Sequence, residues 1–135
     1  IDSGQFNKSE PTDFVSGCAI LIKRAVIEKI GMFDPKYYLY LEDVDLCERA
    51  KRAGFKLWYE PKAVLWHKNA SSSGKPGSEL HVYYQTRNRL LFGFRYAGFR
   101  TKIALLKEAV KMLLKDKTRK QAVLDFFLGR LGKVW

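Results

Sequence analysis

Cysteine is scarce here. Cys18 and Cys47 are the only two in 135 residues. Neither lies in a Cys-x-x-Cys or Cys/His cluster, which argues against a structural zinc site and a disulfide framework. No secretory signal pattern is visible at the N-terminus, and two isolated thiols then favour a reducing compartment. Long apolar runs are also missing: no uncharged stretch approaches the ~18–20 residues needed to span a bilayer. No repeat recurs at a spacing of about 20–50 residues, so a solenoid is not expected. Acidic residues are few in one half only. Residues 87–135 hold 13 Lys+Arg against 3 Asp+Glu, whereas residues 1–86 hold 12 against 11. Such a basic back half suggests a polyanionic partner: lipid headgroups, nucleic acid or diphosphate groups. What is present is a globular composition, 47% hydrophobic and 14% aromatic, long enough for one domain with a core. The chain opens on Ile1 without Met, as a fragment or trimmed chain would.

The stretch Tyr37 to Gly54 organises the rest. Three tyrosines, Tyr37, Tyr38 and Tyr40, lead into Glu42, Asp43 and Asp45. Leu46, Cys47 and Ala50 then recur at helical spacing, and Glu48 and Arg52 sit four apart in the supportive order. Gly54 marks the helix stop. The three carboxylates fall at the first helical turn, where acids routinely complement the macrodipole. Crowding by tyrosines gives them a second reading, because a partly desolvated carboxylate gains basicity.

Taken in order, residues 1–12 read as an extended lead-in. Phe14 to Ile22 reads as a turn into a buried strand, with Ser16-Gly17 as a point of close approach. A short helix follows over 24–30, closed by Gly31, then a turn through Asp34-Pro35. Phe55–Tyr59 alternates as a strand, and Ala63–His67 reads as a second short strand or extended run. Residues 69–78 read as a mobile loop. Residues 79–96 form one long helix. In 101–116, Ile103, Leu106, Val110, Leu113 and Leu114 make an apolar stripe opposite Lys107, Lys111 and Lys115. Residues 119–131 repeat the idea with Val123, Leu124, Phe127, Leu128 and Leu131.

Several separate stretches agree in order: Ser16-Gly-Cys-Ala-Ile-Leu-Ile-Lys-Arg24, Ile30-Gly-Met-Phe-Asp34, Tyr40-Leu-Glu-Asp-Val-Asp-Leu-Cys-Glu-Arg49, Ala53-Gly-Phe55, Glu60-Pro-Lys-Ala-Val-Leu-Trp-His67 and Tyr84-Gln-Thr-Arg-Asn-Arg89. Over about residues 13–95 the chain resembles the C-terminal half of family 2 glycosyltransferases, the rhamnosyltransferase-like branch above all. The resemblance implies an α/β fold: the C-terminal part of a GT-A domain over 1–96, a few short strands with helices, then a basic amphipathic helical tail over 97–135. It implies inverting transfer of a sugar from a nucleotide diphosphate donor to a glycan or polyprenyl-linked acceptor at the cytoplasmic membrane face, with Mg or Mn. It makes Asp43 the general base, with Glu42 or Asp45 holding the base or the acceptor. It makes His67 a metal ligand. Gly17 and Cys18 match a segment near the donor or acceptor sugar. Arg87 and Asn88 match the family's Arg-Asn pair, with Arg87 bracing the leaving diphosphate.

Each residue has a plainer reading as well: a strand start for Gly17 and Cys18, a loop-bonded histidine for His67, a surface salt bridge for Arg87. The family's first nucleotide-binding strands and Asp-x-Asp metal motif have no match, since Asp43-Val-Asp45 sits at the base position. The chain is therefore expected to be a C-terminal piece with little or no activity alone. Two further readings compete. A small basic nucleic-acid-binding module would use the back-half charge with Tyr83, Tyr84, Phe92, Phe94 and Tyr96, though no nucleic-acid signature is present. Residues 100–135 also have the pattern of an interfacial membrane anchor, against which stands simple packing of the stripes on the domain.

Overall fold

A computed structural model describes residues 3–67 and 75–134. Along the chain lie β1 (Glu10–Thr12), α1 (Arg24–Ile30), α2 (Glu42–Arg52), β2 (Leu57–Tyr59), α3 (Glu79–Tyr96), α4 (Phe99–Leu113) and α5 (Lys117–Phe127). The result is mixed, mainly helical with few strands, as for part of an α/β fold. Internal contacts group it into two units: Ile1–Asp34 with Glu42–Lys68, and Pro35–Leu41 with Asn69–Trp135.

In the first unit, glycines end the helices where the sequence places the stops. α1 closes at Gly31, whose φ of 76° is open to glycine and whose N–H returns to Ile27 O. α2 carries Glu42, Asp43 and Asp45 in its first turn and Arg49, Lys51 and Arg52 in its last, so both ends suit the helix dipole. Its buried face is Leu46, Cys47 and Ala50 together with Asp45. β1 and β2 pair antiparallel, Glu10 opposite Tyr59 and Thr12 opposite Leu57. The lead-in thus contains a strand that periodicity did not reveal.

The buried strand expected within 14–22 is absent. That segment is irregular, and Leu21 is 101% exposed. A strand exists only where a neighbour satisfies its ladder, and among the described residues the sole ladder is β1–β2. Ala63–His67 likewise forms no strand. Of the expected loop over 69–78, residues 69–74 lie outside the described residues. Lys75–Ser78 forms a turn, with Ser78 N–H bonded to Lys75 O.

The second unit is built on α3. Ser78 caps it by accepting from His81 N–H, and Asp116 caps α5 by accepting from Arg119 N–H. One cluster joins Leu90, Leu105, Ala109 and Val123, and another joins Tyr83, Tyr84 and Ala122. Gly93 is required by close approach: a Cβ there would stand 2.2 Å from Leu105 Cδ1. α3 shares this unit with α4 and α5.

Of the apolar stripes read in the two tail helices, Leu113 and Val123 pack into the core cluster and most of the rest stays exposed. α4 buries Leu105 and Ala109 and leaves Ile103, Leu106, Val110 and Leu114 exposed. α5 buries Ala122, Val123 and Asp125 and leaves Leu124, Phe127 and Leu128 exposed. Small residues at 109 and 122 admit close packing, and the Tyr83 hydroxyl, 2.8 Å from Asp125 Oδ2, draws a carboxylate inward.

Candidate functional site

The acids at the start of α2 are the densest group of sequence-predicted site residues. Asp43 is half-buried, and its Oδ2 accepts the Gly17 N–H at 2.8 Å. Its Oδ1 accepts the Val44 N–H at 2.8 Å. Both oxygens are therefore fixed by backbone donors, which orients the carboxylate. The approach depends on glycine. A Cβ at position 17 would meet Asp43 Cβ at 3.2 Å and Oδ2 at 3.3 Å. The close approach expected of Gly17 is thus realised against Asp43. Cys18 is exposed, and its thiol lies 3.2 Å from Ser16 Oγ. The same loop is tied to α2 by Cys47 Sγ, which accepts from Val15 N–H at 3.5 Å. Burial pushes the Cys47 thiol up, with the Val15 hydrogen bond opposing.

Glu42 differs in kind from its neighbour. Its Oε2 is buried and finds no partner among the described residues. Burial holds its carboxyl above the usual carboxylate range, a backbone hydrogen bond opposes the rise, and the Asp43 charge adds to it. Perturbed acids of this sort gather at functional sites. Asp45 is different again. It is 0% exposed and bonded at 2.7 Å to Arg49 Nε. Arg49 in turn donates to Ile30 O at 2.6 Å and Met32 O at 2.7 Å. This chain of bonds pins the turn after α1 onto α2, so Asp45 works in the scaffold of the first unit. Sequence reading missed the part of Arg49, which looks like an ordinary helix cation in the one-dimensional pattern.

Arg87 and Asn88 belong to the second unit. Both are 0% exposed, so a diphosphate has no access to Arg87 in this structure. Arg87 donates to the carbonyls of Lys36, Tyr37 and Gly132, and through Nε to Asn88 Oδ1. Asn88 Nδ2 reaches the carbonyls of Tyr37, Leu39 and Tyr40 at 2.9, 2.7 and 2.9 Å. What they hold is the tyrosine run just before the acids. That run has Tyr38, Tyr40 and Leu41 at φ values of 62°, 67° and 68°. Each non-glycine residue in the left-handed region costs on the order of 1 kcal/mol or more, and such backbone persists only when its surroundings fix it. The pair does so, with the Arg87 guanidinium also stacked 4.8 Å from the Tyr84 ring. The signal for this in the sequence was slight: an Arg-Asn pair inside a helix otherwise rich in tyrosine and leucine.

His67 is exposed at the end of the irregular 63–67 segment. Among the described residues no group of three or more His, Cys, Asp and Glu side chains could hold a metal ion. These residues alone therefore do not make a complete site for Mg or Mn. Glu42 and Asp43 line neither the hollow of about 340 Å³ bounded by Pro11, Lys51 and Phe55 nor that of about 470 Å³ bounded by Tyr83, Gln121 and Asp125.

Comparison with known proteins bears on the whole of this arrangement. A family model described as glycosyltransferase like family 2 matches residues 1–93. An N-acetylglucosaminyl-diphospho-decaprenol L-rhamnosyltransferase of Mycobacterium tuberculosis is 36% identical over 90 residues, 66% of this chain and 29% of that protein. The low-salt glycan biosynthesis hexosyltransferase Agl10 of Haloferax volcanii is 26% identical over 88 residues, 65% of this chain and 29% of its own. Rhamnosyltransferase WbbL of Escherichia coli is 37% identical over 49 residues, 36% of this chain and 19% of that one. The chain thus spans less than a third of the length of these relatives. No solved structure matches it significantly. A match to the family model across residues 1–93, more than half of the chain, makes this chain a member of glycosyltransferase family 2, similar to its rhamnosyltransferases.

Proposed function

We propose that this chain is the C-terminal, acceptor-side portion of a GT-A-fold glycosyltransferase that moves a sugar, with inversion, from a nucleotide diphosphate donor to a hydroxyl of a glycan or polyprenyl-linked acceptor. The observation that carries this reading is the Asp43 carboxylate, oriented by the Gly17 N–H at 2.8 Å beside the buried Glu42. A sugar hydroxyl is a poor nucleophile, and a fixed carboxylate within hydrogen-bond reach makes it a better one. Asp43 takes the hydroxyl proton as the acceptor oxygen bonds to the anomeric carbon. The bond from that carbon to the diphosphate oxygen breaks, and the diphosphate leaves with the electron pair. Attack from the face opposite the leaving group inverts the centre.

Glu42 supports this step as the neighbouring acid that holds the base or the acceptor. Gly17 positions Asp43, and Cys18 lies at the exposed rim of the same loop. Arg87 and Asn88 act as positioning residues for the tyrosine run, and Asp45 as an anchor. His67 is proposed as one ligand to a divalent Mg or Mn ion, and the proton transfer by Asp43 is derived without it. Residues 1–96 form the transferase portion and 97–135 the basic tail.

Two measurements test the reading. The full-length polypeptide carrying this segment is incubated with nucleotide-diphosphate sugars and a polyprenyl-linked acceptor, and the anomeric configuration of the product is read by NMR. An inverted product is expected, and a retained configuration or hydrolysis alone refutes the reading. The 135-residue chain by itself is expected to bind nucleotide sugars, with Mn present, more weakly than millimolar in calorimetry. Millimolar or tighter binding contradicts the assignment of donor binding to other parts of the protein.

A further inference from the structure

The exposed face of α4 is unlike an ordinary solvated helix surface. Phe99, Ile103, Leu106, Val110 and Leu114 recur at steps of three and four residues and are 77%, 37%, 41%, 60% and 88% exposed. At about 100° per residue they fall on one line along the helix. The side packed against the rest of the unit is a different one, carrying Leu105 and Ala109. Arg100, Lys107 and Lys111 run beside the stripe on its outer flank, all exposed, and Lys102 lies on the other flank. The single acid of the helix, Glu108, is turned away and paired with Arg89 at 2.8 Å.

We propose that this face of α4 is an interfacial docking surface for an anionic lipid bilayer, the helix lying in the plane of the headgroups. Apolar side chains flanked by cations on one helix are what such an interface takes: the first enter the acyl boundary and the second meet the phosphates. No described helix is long and apolar enough to cross a membrane, which fits a surface-lying geometry. Two other occupants fit less well. A second copy of the chain, docked by the same face, brings two lysine rows together. A nucleic acid takes up the cations and leaves Phe99, Val110 and Leu114 in water. A lipid surface satisfies both parts of the face. The proposal rests on the second unit alone and is independent of the catalytic reading.

The test is co-sedimentation of the full-length polypeptide carrying this segment with vesicles of phosphatidylcholine containing phosphatidylglycerol, and with phosphatidylcholine alone. Binding is expected only to the anionic vesicles, weakening as salt is raised. Lys107→Glu with Lys111→Glu should weaken it about tenfold or more, and so should Val110→Asp with Leu114→Asp. Circular dichroism checks that helix content is unchanged. Should the Val110 variant lose structure, Phe99→Ser with Leu114→Ser, at the most exposed ends of the stripe, supplies the same readout. Absence of binding to anionic vesicles at low salt overturns the proposal. So does binding that survives both apolar variants with helix content intact. A dimer in sedimentation equilibrium that Val110→Asp abolishes, without vesicle binding, assigns the face to self-association instead. Displacement from vesicles by duplex DNA, with DNA binding indifferent to Val110→Asp, assigns it to nucleic acid.

Discussion

Glu42 and Asp43 are adjacent in sequence yet live in different surroundings, and the difference can be measured. Burial raises the Glu42 pKa, so the folded state holds that proton more tightly than the unfolded chain does. Between the unfolded and folded pKa values the native state binds more protons, so the Glu42 contribution falls as pH rises through that window. Glu42→Gln should therefore raise the thermal midpoint at neutral pH, and the gain should vanish as pH drops below the ordinary glutamate value of 4.5. Melting curves across that range check it; a variant that is less stable at neutral pH contradicts the assigned environment. Gly17→Ala asks about position instead. The added Cβ must move Asp43 by a few tenths of an ångström, and turnover in the full-length protein should drop about tenfold while thermal stability changes little. Gly17 was legible from the sequence because only glycine lets a backbone N–H come so close. The work of Arg87 and Asn88 was not. The left-handed turns they hold fall on Tyr38, Tyr40 and Leu41, where no glycine announces them.

At the scale of elements, helix stops and the inward face of α2 were readable, and the faces of α4 and α5 were not. The stops of α1 and α2 follow from Gly31 and Gly54, which act locally. Which stripe of α4 or α5 turns inward depends on partners distant in sequence, and both helices offered an apolar choice on each side. Two substitutions probe the packing that decided it. Gly93→Ala gains helix propensity but drives a methyl group into Leu105, so a net loss of about 1–2 kcal/mol is expected. Pairing it with Leu105→Ala should recover part of that loss in a double-mutant cycle by urea unfolding; additive losses contradict the contact. Asn88→Ala removes the donor from three carbonyls of the tyrosine run, and a cost of about 2–3 kcal/mol is expected. Tyr83 belongs to the same layer. Burial and its bond to Asp125 push its hydroxyl up to about 12, so its absorbance should not titrate as an ordinary phenol's does before the unit unfolds in base.

At the scale of the whole molecule, the division of labour follows charge and family membership together. The front of the chain, nearly neutral, carries the glycine loop and the acids, while the cations crowd into residues 87–135. The missing strand at 14–22 fits the same picture, because a ladder partner is a property of neighbours and never of one segment's own letters. The measurement that bears most directly on the central claim is the turnover of Asp43→Asn in the full-length protein, beside Glu42→Gln and with circular dichroism to certify the fold. Asp43 as the group that receives the acceptor proton predicts a loss of about 100- to 10,000-fold in kcat for Asp43→Asn, with KM for the donor little changed. Turnover within tenfold of the parent, in a folded Asp43→Asn protein, would contradict it.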